Sequence, residues 1–150
     1  MRLLRAYPVY PLKDILNANK VTIFTDGAAR GNPGPAAIGA VIKDEKGKLA
    51  ASISRCLGAT TNNQAEYRAI IAALEKALSL GARQVMLYSD SELVVKQING
   101  QYKIKHAALR PLYSEIVKLA GALESFKIAY IPRERNKEAD ALANKALDSL

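Results

Sequence analysis

The chain has 150 residues, of which 49% are hydrophobic and 24% charged, the make-up of one soluble domain long enough to bury a core. No apolar run approaches the roughly 20 residues of a membrane span, and the N-terminus lacks the apolar stretch and small-residue cleavage site of a signal peptide. A net charge of +8 favours a polyanionic partner, with nucleic acid ahead of an anionic membrane surface. One cysteine, Cys56, excludes an internal disulfide and fits a reducing, cytoplasmic setting.

Residues 1–20 read as an N-terminal extension in which Pro8 and Pro11 break any long element, leaving "LKDILNAN" for a short helix. The domain proper is residues 21–150. "VTIFTD" (21–26) is β-branched and aromatic and predicts a strand. "AAIGAVIKD" and "KLAASISRCL" predict two more, joined as a hairpin through the Gly47 turn, with Cys56 as a small core residue at the end of the third strand. "TTNNQAEYRAIIAALEKALSLGA" predicts a long helix. Thr61, Asn62 and Asn63 are capping types, Gln64 stands three residues after Thr61 as in a capping box, and Gly81 stops the run.

"QVMLYSD" (84–90) is a fourth strand and "SELVVKQING" a short helix capped by Ser91. "QYKIKHAALRP" is a basic connector holding the only histidine, His106, which reads as facing solvent or nucleic acid. A helix starts near Pro111, "FKIAYIP" is a fifth strand, and "NKEADALANKALDSL" a last helix with Asn136 as its N-cap. The order is β-β-β-α-β-α-α-β-α. It predicts an α/β fold with a five-stranded mixed sheet: strands one to three antiparallel, strands one, four and five parallel through right-handed crossovers, helices packed on the sheet.

Four carboxylates stand at element edges. Asp26 and Asp90 each end an apolar strand, and parallel pairing of those strands would put both at the carboxyl end of the sheet, where open α/β sheets bind ligands. Glu66 precedes Ile70 by four residues and Ala73 by seven, so helical spacing turns it inward with the apolar stripe Ile70, Ala73, Leu74 and Ala77. Asp140 lies in the first turns of the last helix among alanines that permit close approach. An acidic residue at a strand end or in a first helical turn has a capping or dipole role of its own. Together the four would repel one another unless cations intervene, and an all-oxygen set suits Mg²⁺ or Mn²⁺. An acidic pocket in a basic protein is what phosphodiester cleavage needs.

The segments "TDGAARGNPGPAAIGAVI", "TTNNQAEYRAIIAAL", "LYSDSELVVKQI" and "RNKEADALANKAL", in this order, resemble the type 1 ribonuclease H family over residues 21–148. The resemblance implies a ribonuclease H catalytic domain over 21–150. It implies an endonuclease that hydrolyses the RNA strand of RNA–DNA hybrids with two Mg²⁺ ions (Mn²⁺ a substitute), leaving 3′-hydroxyl and 5′-phosphate ends. Asp26, Glu66, Asp90 and Asp140 correspond to the catalytic metal-binding set, and Gly27, Asn32, Asn62, Asn63 and Arg133 to substrate-facing positions. A monomer with the hybrid as partner and no membrane association is expected. The histidine frequent in the family's loop before the last aspartate is missing from "IPRERNKEAD"; Arg133 or Arg135 takes its place, Arg133 being favoured, in an electrostatic role because arginine does not deprotonate near neutrality. The family's extra basic helix after the fourth strand is also missing, with Lys96, Lys103, Lys105 and Arg110 as partial substitutes. Competing readings are a non-catalytic hybrid-binding module, a nuclease of the same fold for double-stranded RNA or a recombination intermediate, and a ribonuclease domain cut from a reverse transcriptase.

Overall fold

A computed structural model of the chain describes residues 19–150. The short helix expected in "LKDILNAN" falls outside that range, apart from Asn19.

β1 (Lys20–Ala29), β2 (Gly34–Lys43) and β3 (Leu49–Thr60) are followed by α1 (Asn62–Ser79), β4 (Gln84–Ser89), α2 (Glu92–Ile98), α3 (Arg110–Gly121), β5 (Ser125–Tyr130) and α4 (Lys137–Asp148). Single 3₁₀ turns at Ala107–Leu109 and Arg133–Arg135 precede α3 and α4. The sheet order is β3-β2-β1-β4-β5, with β1–β2 and β2–β3 antiparallel and β1–β4 and β4–β5 parallel. Strand order and directions are those expected from the sequence.

Strand lengths are not. β1 runs three residues beyond Asp26, pairing Gly27, Ala28 and Ala29 with Ile38, Ala37 and Ala36. β3 runs on to Thr60 through a register shift opposite Ala36 and Ala37. Cys56 therefore lies inside β3, not at its end, and it is half-buried, with its Sγ 3.1 Å from the Ala146 carbonyl of α4.

The pleat divides the sheet's two faces. Val21 and Ile23 of β1, Ile38, Ala40 and Ile42 of β2, and Val85 and Leu87 of β4 join Tyr67, Ile70, Ala73, Leu74 and Ala77 of α1 in the main core. These α1 residues recur at the three- and four-residue spacing expected of one helical face. Tyr67 is fully buried and its hydroxyl donates to Gln97 Oε1 at 2.7 Å, so the phenol is not left unpaired. α4 covers the opposite face, where Ala37 meets Ala146 and Leu147. There the backbones approach closely: a β-carbon at Gly39 would lie 2.1 Å from the Ala139 carbonyl oxygen.

Both N-cap positions read from the sequence, Thr61 and Asn136, stand, but the side-chain bonds differ from expectation. Thr61 alone caps α1, its hydroxyl accepting from Gln64 N at 3.1 Å; Asn62 and Asn63 are already helical, which frees their side chains. The reciprocal half of a capping box is not made, because the Gln64 side chain is taken by Thr60. Asn136 sits at the cap position of α4, yet its side chain makes no capping bond.

Candidate active site

β1 and β4 are parallel neighbours, with Thr25 opposite Ser89. Asp26 and Asp90 are the next residues along each chain, so the two carboxylates emerge side by side at the carboxyl end of the sheet. Glu66 reaches them from the second turn of α1. Gly27 makes that reach possible: a β-carbon there would lie 2.2 Å from the Ala65 carbonyl carbon and 2.4 Å from Glu66 N. With only hydrogen in the gap, Gly27 N donates to Glu66 Oε1 at 2.9 Å. Carboxylate oxygens of Asp26, Glu66 and Asp90 all lie within 4.8 Å of one another. Asp140 approaches from α4 on the other side, close enough for its carboxyl to act on that of Asp26.

The electrostatics follow from burial. Asp26 is 4% exposed and Glu66 8%. Burial, then the charges of Asp90 and Asp140, raise the Asp26 carboxyl from 3.8 to about 7. Glu66 is also pushed well up, by burial first and then by Asp26 and Asp90; the Gly27 hydrogen bond works against this. Arg133 opposes both shifts with its positive charge. Asp26 Oδ2 is buried with no hydrogen-bond partner among the described residues. Repelling, partly desolvated carboxylates around an unpaired oxygen have the donor chemistry of a hard divalent cation such as Mg²⁺ or Mn²⁺.

Two asparagines missed as site residues flank Asp140 by one turn each way. Asn136, 1% exposed, donates from Nδ2 to the Thr25 carbonyl at 2.8 Å and to Asp90 Oδ2 at 3.0 Å. Asn144 donates to Asp140 Oδ1 at 3.2 Å and to its carbonyl at 3.1 Å. The sequence signal was the spacing i, i+4, i+8 of Asn136, Asp140 and Asn144, which puts all three on one side of the helix.

Asn32 and Asn62 lie beside the cluster and hold each other. Asn32 Oδ1 accepts from Asn62 N at 3.0 Å, and Asn62 Oδ1 accepts from Ala29 N at 2.8 Å. Asn63 lines a neighbouring cavity of about 200 Å³ with Asn32, Thr61, Gln64, His106 and Leu109. His106, Asn63 and Leu109 also border a larger hollow of about 570 Å³ that includes Tyr102, Lys103 and Lys105. The basic connector thus lies next to the asparagines. Arg133 faces the carboxylates electrostatically, whereas Arg135 lines a separate cavity with Phe24, Lys43 and Asn136.

Comparison with known proteins places the chain and its fold in a family. A family model described as reverse transcriptase-like matches residues 24–146. Ribonuclease HI of Halobacterium salinarum is 43% identical over 129 residues, 86% of this chain and 65% of that protein. Ribonuclease H of Dechloromonas aromatica is 32% identical over 148 residues, 87% of this chain and 95% of its own length. The crystal structure of RNase H1 from Halobacterium salinarum superimposes with a TM-score of 0.85, covering 87% of this chain and 99% of that one. LC11-RNase H1, isolated from compost and solved in complex with an RNA/DNA hybrid, gives a TM-score of 0.82 at 44% identity, covering 87% of this chain and 98% of that one. A bifunctional protein of Mycobacterium tuberculosis is 46% identical over 132 residues, but the chain spans only 36% of its length. Fold, motif order and full-length similarity to a ribonuclease H agree, and the chain belongs to the type 1 ribonuclease H family.

Proposed function

We propose that the protein is an endonuclease that hydrolyses the RNA strand of RNA–DNA hybrids, leaving 3′-hydroxyl and 5′-phosphate ends. The observation that carries this reading is the cluster itself: Asp26, Glu66 and Asp90 with carboxylate oxygens within 4.8 Å, and the Asp26 carboxyl raised to about 7. Asp140 completes the set from α4.

Asp26, Glu66, Asp90 and Asp140 would hold two divalent cations, Mg²⁺ by preference and Mn²⁺ as a substitute. Such a pair supplies an activated water and charge stabilisation for the leaving oxygen of a phosphodiester. The chain's own residues prepare for this. Asp26 and Asp90 project from adjacent parallel strands, which fixes their separation through backbone hydrogen bonds. Gly27 N–H orients Glu66. Arg133 carries a fixed positive charge at the rim, where it attracts a phosphate and cannot shuttle a proton.

Substrate selection follows from the neighbouring wall. The oxygens of Asn32 and Asn62 are occupied by backbone N–H groups, so their free amide groups are donors. Donors beside Gly27 suit the 2′-hydroxyl and base acceptors of a minor groove, which is how RNA is told from DNA. Asn63, Lys103, Lys105 and His106 extend this wall toward the second strand. The hybrid bound to LC11-RNase H1 supports the substrate class. We assign residues 21–150 as the catalytic domain. It acts as a cytoplasmic monomer, a reading supported by a site drawn from one chain and by the single cysteine.

The test is cleavage of an end-labelled RNA–DNA hybrid in Mg²⁺, beside double-stranded and single-stranded RNA. Hybrid alone should be cut. Asp26→Asn should abolish cutting with an unchanged circular dichroism spectrum, and full activity in that variant would overturn the assignment.

A further inference from the structure

Asn136 stands at the N-cap position of α4 and does not cap. It is 1% exposed, and burying an amide is favourable only when its groups find partners. Its Nδ2 has two, and they belong to different parts of the site: the Thr25 carbonyl, one residue before Asp26, and Asp90 Oδ2. Both are acceptors, so the amide nitrogen must face them; the reversed orientation would set oxygen against oxygen. Its own Oδ1 has no partner among the described residues.

We propose that Asn136 is a positioning residue that holds the Asp90 carboxylate in its metal-binding orientation. This rests on the metal-dependent reading above. The bond engages Oδ2 of Asp90 and so fixes the rotation of the whole carboxylate, leaving Oδ1 turned to a defined direction. The bond to the Thr25 carbonyl registers that orientation against β1, hence against Asp26. Asn136 is also four residues ahead of Asp140, with its carbonyl accepting from Asp140 N at 3.1 Å. One residue therefore ties the start of α4 to both strands that carry the central aspartates. Hydrogen bonds to ligating carboxylates are worth about 10- to 100-fold in metal affinity or activity when removed.

The experiment titrates Mg²⁺ without nucleic acid and follows thermal unfolding of the full chain. In Asn136→Ala the Mg²⁺ concentration giving half of the maximal stabilisation should rise about tenfold or more. In cleavage assays the Mg²⁺ requirement should rise in parallel while KM for the hybrid stays unchanged, a split that general loosening of the fold would not give. A second measurement uses the wild-type protein: the Asn136 side-chain amide protons should exchange slowly with solvent and shift on adding Mg²⁺. An unchanged Mg²⁺ midpoint in a folded Asn136→Ala protein, or amide protons that exchange as fast as those of an exposed asparagine, would overturn the proposal alone. Wild-type protein that is not stabilised by Mg²⁺ at all would overturn it together with the metal-dependent reading.

Discussion

Asp26→Asn should make the metal-free protein more stable, even as it removes activity. A carboxyl that titrates at about 7 when folded and at an ordinary 3.8 when unfolded binds its proton more tightly in the folded state. Its ionised form therefore works against folding. The effect is absent below 3.8 and grows as pH rises. It reaches its full size above 7, about 4 kcal/mol. At pH 5 the same group costs only about 2 kcal/mol. Asparagine has the same shape and no charge, so it removes the pH-dependent part while leaving a buried amide that is incompletely bonded. A net gain of about 2–4 kcal/mol at pH 8 is expected, a rise in Tm of roughly 5–10 °C for a chain of this size. The assay is urea unfolding of both proteins in EDTA at pH 8 and pH 5. The gap should shrink by about half at the lower pH. A variant no more stable than wild type at pH 8, or a gap independent of pH, would refute the electrostatic picture of the cluster.

Other perturbations test the rest of the geometry. Gly39→Ala forces a methyl against the α4 backbone and should destabilise by about 3 kcal/mol or more, read from urea midpoints. Thr61→Ala removes the only side-chain cap of α1 and should cost about 1 kcal/mol, with little change in the Mg²⁺ requirement of cleavage. Asn62→Ala breaks its bond to Ala29 N and should weaken hybrid binding several-fold more than binding of duplex DNA, measured by fluorescence anisotropy without cleavage. Hybrid affinity should also fall steeply between 50 and 200 mM salt, and Lys103→Ala with Lys105→Ala should flatten that dependence.

Much of the site was legible from local pattern. Asp26 and Asp90 could be placed because strand ends are marked by composition, and parallel pairing follows from crossover rules. Glu66 could be turned inward because helical spacing fixes a face. What escaped were contacts between segments distant in sequence. Asn136 looked like a cap because it precedes a helix, and nothing local says that Thr25 and Asp90 will offer it two acceptors. Asn62 and Asn63 are capping types as well, and the cap went to Thr61, the residue that the spacing to Gln64 had marked. β1 and β3 were cut short because glycine and alanine are weak strand formers; pairing with β2 overrides that preference. The helix α4 was found, but its closeness to β2 was not, since it depends on Gly39 facing Ala139.

Gly27 and Gly39 give the cluster its dimensions. One lets α1 descend until Glu66 meets the backbone of β1, and the other lets α4 descend beside Asp26. The spacing of the charged groups is thus gauged by side chains that do not exist. Two of the four carboxylates are adjustable from positions that carry no charge. A methyl at Gly39 would raise the platform under Asp140 and widen one half of the site alone. Such graded spacing would separate the contribution of the fourth carboxylate from that of the other three without deleting any of them.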